Sequence, residues 1–269
     1  MHKVITMSDS NYFDTGKLLL KTRDRVKADF ILYGPDLTKS QISILKKNNI
    51  EYNKVDPYLY KTQMQFLKFS FLRDQINADV GGKYTGFSLV DFDTFFINDW
   101  SSIFNYDFDF GITIRNNMVK DKVLRAYTNG GVVFAKRTST KLLDFARKTV
   151  VHGESIDLVE YDRIWNTLET GRPKHKTHYR DIFRWWVDQV FLSSLALNYF
   201  EKYGYCKVGL KPIIFEFNKT KVGMFGCNYY NVLDSKPRIS YKKNIYIRHL
   251  KTVGRNILGV NKTIEKLEK

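Results

Sequence analysis

Cysteine is nearly absent. Only Cys206 and Cys227 occur in 269 residues. Their spacing fits neither a metal-binding knuckle nor a disulfide framework, so a reducing compartment is expected. Long apolar runs are also missing; the longest are strand-sized, well short of the roughly 20 residues a membrane-spanning helix needs. The opening stretch Met1-His2-Lys3-Val4-Ile5-Thr6-Met7-Ser8-Asp9 lacks the apolar segment and cleavage site of a secretory signal, which gives the expectation of a cytoplasmic protein. There is no internal repeat, no low-complexity segment and no linker. One domain over residues 1–269 is therefore expected, with two halves over about 1–128 and about 129–269. Acidic residues are in deficit: 28 Asp and Glu stand against 44 Lys and Arg, a net charge of +16. That excess favours polyanionic partners such as nucleic acid, an anionic membrane surface or phosphorylated glycans. The richness in Lys, Asn, Ile, Tyr and Phe is also what an AT-rich genome encodes, so the arginines are the better witnesses.

What is present is an alternation of strand and helix patterns. Val4–Met7, Phe30–Tyr33 and Glu51–Val55 read as strands, and Asp14–Val26, Lys39–Lys47 and Lys61–Ile76 as helices. A further strand ends at Asp91. Beyond it, Phe108–Ile114, Gly131–Ala135, Lys207–Leu210, Ile213–Phe217 and Ile245–Arg248 read as strands. Thr140–Thr149, Leu158–Leu168 and Trp186–Phe200 read as helices. The implied class is α/β, a central and mostly parallel sheet flanked by helices. In such sheets ligands collect at the carboxyl ends of the strands, which would bring Asp9 and Asp91 to one edge.

Five stretches carry candidate chemistry. In Leu89-Val90-Asp91-Phe92-Asp93-Thr94-Phe95 two carboxylates sit among apolar residues, and buried charge needs a partner. A hard divalent ion such as Mg²⁺ or Mn²⁺ takes carboxylate oxygens and keeps positions open for phosphates. Met7-Ser8-Asp9-Ser10-Asn11-Tyr12 offers polar groups and an aromatic ring for a nucleobase and ribose, or else a helix cap. Thr128-Asn129-Gly130-Gly131 lets a backbone approach a ligand, or makes a turn. Trp185-Trp186-Val187-Asp188-Gln189 brings an acid and an amide to an apolar helix. In Ile245-Tyr246-Ile247-Arg248-His249-Leu250-Lys251, a histidine at a strand end is followed by Lys251 and Arg255, cations suited to a metal-bound diphosphate.

In this order and at these intervals the stretches resemble the GT-A nucleotide-sugar glycosyltransferases, nearest in pattern to the glycogenin and lipopolysaccharide galactosyltransferase family. The resemblance implies a GT-A fold and a UDP-sugar donor. It implies uridine contacts by Asp9, Asn11 and Tyr12, and a Mn²⁺ or Mg²⁺ site formed by Asp91, Asp93 and His249. Asn129 and Gly130 would meet the donor sugar. A basic residue on the preceding helix would meet the donor, with Arg73 first and Lys68 as the alternative. Asp188 and Gln189 would lie at the reacting carbon, and Lys251 and Arg255 on the diphosphate. The family's histidine is followed by Gly and then Lys-Pro-Trp, whereas here Leu250-Lys251-Thr252 follows. If the family's stereochemistry carries over, configuration is retained; an inverting enzyme would instead use Asp188 as a base on the acceptor hydroxyl.

Between the sugar motifs, Arg172, Lys174, Lys176, Arg180, Arg184, Trp185 and Trp186 interleave basic and aromatic side chains, a composition that suits phosphates and stacked rings. One acceptor class is DNA carrying a hydroxyl on a modified base, flipped out to react. Another is an anionic glycolipid at the cytoplasmic membrane face. The tail from Asn256 to Lys269 has no aromatic residue and includes Glu265 and Glu268, which makes a poor interfacial anchor. That tail and the strength of the charge favour DNA. A non-catalytic sugar- or nucleic-acid-binding module is the alternative of another class.

Overall fold

The structure is a computed structural model that describes residues 1–115, 119–120, 123–124, 128–151, 179–234 and 245–250. The first strands are β1 (His2–Met7), β2 (Ala28–Gly34), β3 (Ile50–Lys54), β4 (Gly86–Val90) and β5 (Thr94–Phe96). They are followed by β6 (Phe110–Ile114), the short hairpin of β7 (Val119–Lys120) and β8 (Val123–Leu124), and β9 (Thr128–Ala135). The last are β10 (Ile213–Phe217), β11 (Thr220–Gly226), β12 (Val232–Asp234) and β13 (Ile247–Leu250). The helices are α1 (Lys17–Thr22), α2 (Lys39–Lys47), α3 (Pro57–Ala78), α4 (Thr140–Val151), α5 (Tyr179–Tyr203) and the single turn α6 (Cys227–Tyr230).

Eight strands share one sheet in the order β10-β11-β6-β9-β4-β1-β2-β3. β1 pairs in parallel with β2 and β4, β2 with β3, and β6 with β11. Only β9 and β10 run against the rest. This is the mostly parallel α/β sheet expected, and strands from both halves of the chain build it. Strand alternation sends Ile5 and Met7 to one face and Val4 to the other. On the first face α3, α4 and α5 pack through Phe69, Leu72, Leu143, Leu192 and Leu195. On the second, α1, α2 and a small sheet pack through Leu19, Leu45, Phe96 and Ile247. No helix among the described residues is long and apolar enough to cross a membrane.

Local chemistry explains the boundaries. A capping box between Thr38 and Gln41 opens α2 at the expected residue. The Asp56 carboxylate accepts from the backbone of Tyr58 and Leu59 at 2.8 and 3.0 Å, with Pro57 at the first helical position. It therefore starts α3 four residues before Lys61, the predicted first residue. The helix expected over Asp14–Val26 is broken into two 3₁₀ turns around α1. Here the Thr22 hydroxyl bonds the Leu18 carbonyl at 2.7 Å and receives the Phe96 N–H at 2.9 Å, which ties the helix end to β5. Lys207–Leu210, expected as a strand, joins no ladder; the Val208 and Gly209 carbonyls pack on Gly226, where a Cβ would lie 2.7 and 2.9 Å from them. The helix expected over Leu158–Leu168 lies outside the described residues.

Under the sheet, His2 lies between Trp100 and Phe104, with ring centroids 5.4 and 5.3 Å away. Its Nε2 is buried without a hydrogen-bond partner among the described residues. Burial pushes the imidazole down to about 4, against an opposing pull from Asp99. The unfolded chain protonates near 6.5, so between the two values it binds the extra proton and the folded state does not. Stability must therefore fall as the pH falls through that window, by about 3 kcal/mol for this one group. Denaturant unfolding at neutral and mildly acidic pH should show His2→Gln lacking this share of the slope. An identical slope in the variant would remove His2 as its source.

Candidate active site

Two turns and one strand pairing build the site. Asp91 follows β4 directly, and its N–H donates to the Gly131 carbonyl at 2.8 Å. The Thr94 N–H and hydroxyl both donate to the Asp91 carbonyl, at 3.1 and 2.8 Å, closing a tight turn that presents Asp91 and Asp93 together. β5 leaves this turn and pairs antiparallel with β13, in a register that sets His249 opposite Thr94. β12 flanks β13 in parallel, with Leu233 opposite His249. The three-stranded sheet thus carries a histidine from the far end of the chain to the two acids.

One ligand atom from each of Asp91, Asp93 and His249 lies within 4.8 Å of the others. His249 Nε2 is 3.0 Å from Asp93 Oδ1 and 3.6 Å from Asp91 Oδ2, yet it makes no hydrogen bond among the described residues. Its other ring nitrogen has a fixed partner. Asn231, fully buried, donates its amide to the Asn129 backbone carbonyl at 3.2 Å and to the Thr113 hydroxyl at 3.0 Å. A carbonyl can only accept, so the Asn231 oxygen must be the atom facing His249 Nδ1 at 3.3 Å. Nδ1 therefore carries a proton, and Nε2 is the ring nitrogen that faces the two carboxylates and is placed to ligate a cation. Three electron-pair donors converging in a buried place fit a hard divalent cation. Gly131 forms the wall of this cradle: a Cβ there would lie 2.6 Å from the His249 ring and 3.0 Å from Asp91 Oδ2.

Nothing in the sequence marked Asn231; only the placement of β12 beside β13 reveals it. Replacing Asn231 with Ala should free the tautomer and weaken Mn²⁺ binding by about 10- to 100-fold. Long-range proton–nitrogen NMR of the His249 ring would read the tautomer directly, and Mn²⁺ titration the affinity. Unchanged values in both would remove this role.

Lys68 reaches the acids from α3. Its ammonium lies 2.9 Å from Asp91 Oδ1 and 3.4 Å from Asp188 Oδ2. Burial alone would lower its pKa, but the two carboxylates more than offset that and hold it above the ordinary lysine value. Of the two basic residues considered on this helix, it is Lys68 that stands at the acids. Arg73 Nε instead pairs with Asp144 of α4. Asp188 is buried on α5, beside Lys68. Tyr60, which carried no sequence signal, is buried nearby. Its phenol is pushed up first by burial and then by Asp9.

The turn after β1 joins the same edge. Asp9 Oδ1 accepts from the Tyr12 N–H at 2.7 Å, the capping role weighed for it, and the Tyr12 hydroxyl donates to Asp93 Oδ2 at 3.0 Å. Ser10 bonds Asp36 through its N–H and hydroxyl, and Asn11 is exposed. Across the site, the pairing of β6 with β9 shifts between Ile112 and Ile114, leaving Asn129 and Gly130 in a bulge at the sheet edge. Asn129 Oδ1 accepts from the Gly131 N–H at 3.2 Å, while its Nδ2 is buried without a partner among the described residues. That is a donor available to a ligand hydroxyl. Arg180, Arg184, Trp185, Trp186 and Gln189 lie on α5, with side chains outside the description. Arg172, Lys174, Lys176, Lys251 and Arg255 lie outside the described residues.

Among solved structures, the galactosyltransferase LgtC, in complex with donor and acceptor sugar analogues, aligns with 93% of this chain and 87% of its own, at a TM-score of 0.49 and 11% identity. No protein-family model matches the chain, and no curated protein matches it.

Proposed function

We propose that the protein is a metal-dependent GT-A glycosyltransferase. In this reading it moves a sugar from a nucleoside diphosphate donor, UDP-sugar first, to a hydroxyl of a polyanionic acceptor, with DNA placed ahead of an anionic glycolipid. One observation carries the reading: Asp91, Asp93 and His249 converge at the carboxyl edge of a mostly parallel sheet, where such folds bind ligands. A Mn²⁺ or Mg²⁺ ion held by these three residues would offset the charge of a departing diphosphate. The chain's own groups do the rest. Asp9, Asn11 and Tyr12 lie at the end of β1 for the nucleoside. The Asn129 Nδ2 donor, without a partner among the described residues, and the bulge around Gly130 suit sugar hydroxyls.

Asp188 shares the Lys68 ammonium with Asp91. A carboxylate held by a buried ammonium is a weak proton acceptor. This supports stabilisation of, or attack on, the reacting carbon by Asp188 and its neighbour Gln189, and so a retaining reaction, over a base acting on the acceptor. The net charge of +16 supports the polyanionic acceptor. The test is a donor screen with and without Mn²⁺, read by mass spectrometry, with modified-base DNA and glycolipid acceptors in parallel. Metal-stimulated release of nucleoside diphosphate is the expected result. Its absence with every donor would leave the non-catalytic binding module as the better reading.

A further inference from the structure

The order of strands lays the site out as a line. Along the carboxyl edge come the end of β1 with Asp9, the end of β4 with Asp91, the start of β9 with Asn129, the end of β6, and the end of β11. Nucleoside, metal and sugar groups occupy the first three places. At the fourth stands Arg115, one residue past β6, whose last residue Ile114 is registered with Thr128 of β9 and with Gly226 of β11. Strands lie about 4.8 Å apart, so Arg115 sits roughly 10 Å from Asp91 along the edge, about one sugar ring beyond the metal.

Arg115 is an anomaly there. It is mostly buried, its Nε is out of contact with water, and among the described residues it has neither a hydrogen bond nor an ion pair. Burial draws its pKa below the ordinary arginine range, and the influence opposing it comes from Cys227, with no carboxylate contributing. Arginine stays charged, and no carboxylate among the described residues neutralises this one, although it is only partly open to water. A guanidinium left so, with its fork of donors intact, matches a bound oxyanion.

We infer that Arg115 is an acceptor-side anion subsite, taking a phosphate or carboxylate of the acceptor one sugar length from the metal. This rests on the glycosyltransferase reading for the word acceptor; the anion subsite itself does not. Methyl phosphate and acetate are the probes, titrated into the full chain. The Arg115 Nε–H NMR resonance, identified by its loss in Arg115→Met, should shift saturably, and the probe causing the larger shift names the oxyanion. No saturable shift with either probe overturns the subsite. Saturating UDP and Mn²⁺ should leave the shift in place; displacement would move Arg115 to the donor diphosphate and overturn the acceptor assignment. Arg115→Met should unfold no earlier than the wild type, since it removes a charge with no partner among the described residues. A marked fall in its unfolding temperature would make Arg115 structural and overturn the proposal, with Arg115→Lys then serving to identify the resonance in a folded chain. Failure of the wild type to turn over any nucleotide sugar would end the transferase reading without deciding the Arg115 resonance.

Discussion

Asp93→Asn should abolish metal-stimulated turnover of the nucleotide-sugar donor, by at least about 10²- to 10³-fold, the usual cost of removing one group that stabilises developing charge. The protein should lose nothing in stability. Asp93 is almost fully buried, and its Oδ1 lies 3.0 Å from His249 Nε2. Asp91, a like charge, shares the same cradle. Without a metal the two carboxylates repel each other, so neutralising one relieves strain while the amide oxygen still accepts the Tyr12 hydroxyl. Mn²⁺ should raise the unfolding temperature of the wild type and not of the variant, because a ligand stabilises only the state that binds it. Product release assayed by mass spectrometry, beside thermal unfolding with and without Mn²⁺, decides the matter. Full activity in Asp93→Asn would sink the metal assignment. A large loss of stability in the metal-free variant would mean that Asp93 serves the fold.

The fold was legible where boundaries are chemical. Thr38 and Gln41 cap α2, and Asp56 with Pro57 opens α3, so the strand–helix alternation through the first third reads directly from caps and apolar runs. It became illegible where elements are short or glycine-bearing. β5 and β12 have three residues each, too few to show a period of two. β11 contains Gly223 and Gly226, residues that weaken a strand pattern. Gly223 is there for packing: a Cβ would lie 2.9 Å from the Phe225 ring and 3.2 Å from Phe108. The hairpin before it turns on Asn218 and Lys219, both at positive φ, and only the asparagine advertises that conformation.

The site divides in the same way. Asp91, Asp93 and His249 were readable as residue types with few bland uses in that company. Their convergence depends on β5 and β13, whose pairing no local pattern encodes. Asn231 fixes the histidine through contacts with Thr113 and Asn129, from two other strands, so no spacing rule could find it. Lys68 and Arg73 were both candidates, yet residues five apart on a helix point about 140° away from each other, so only one could face the site. The deciding signal was present: Lys68 falls four residues after Met64 and four before Leu72, in the inward stripe, whereas Arg73 lies beside it.

That placement gives the loss of Lys68 a large expected cost in stability. Lys68→Met keeps the length and apolar stem of the side chain and removes the charge. Asp91 Oδ1 and Asp188 Oδ2 then lose the ammonium now 2.9 and 3.4 Å away, with Asp188 left buried and Asp91 only partly open to water. Breaking a buried ion pair by removing one partner costs about 3–5 kcal/mol, because the surviving charge is uncompensated. Denaturant unfolding of the metal-free protein should show that loss. Two additions should reverse part of it for separate reasons. Mn²⁺ supplies positive charge beside Asp91, so the variant should recover more stability from the ion than the wild type gains. Asp188→Asn removes the second stranded charge, so the double variant should be more stable than Lys68→Met alone, with a coupling between the two sites well above the ~0.5 kcal/mol seen for independent ones. If Lys68→Met costs under about 1 kcal/mol, the range of an exposed pair, the ammonium is no counterion for the site. If Mn²⁺ rescues nothing, its charge and the metal's do not share Asp91. The two outcomes separate a lysine that only props α3 against the sheet from one that holds the donor carboxylates and Asp188 in a single charge-balanced cluster.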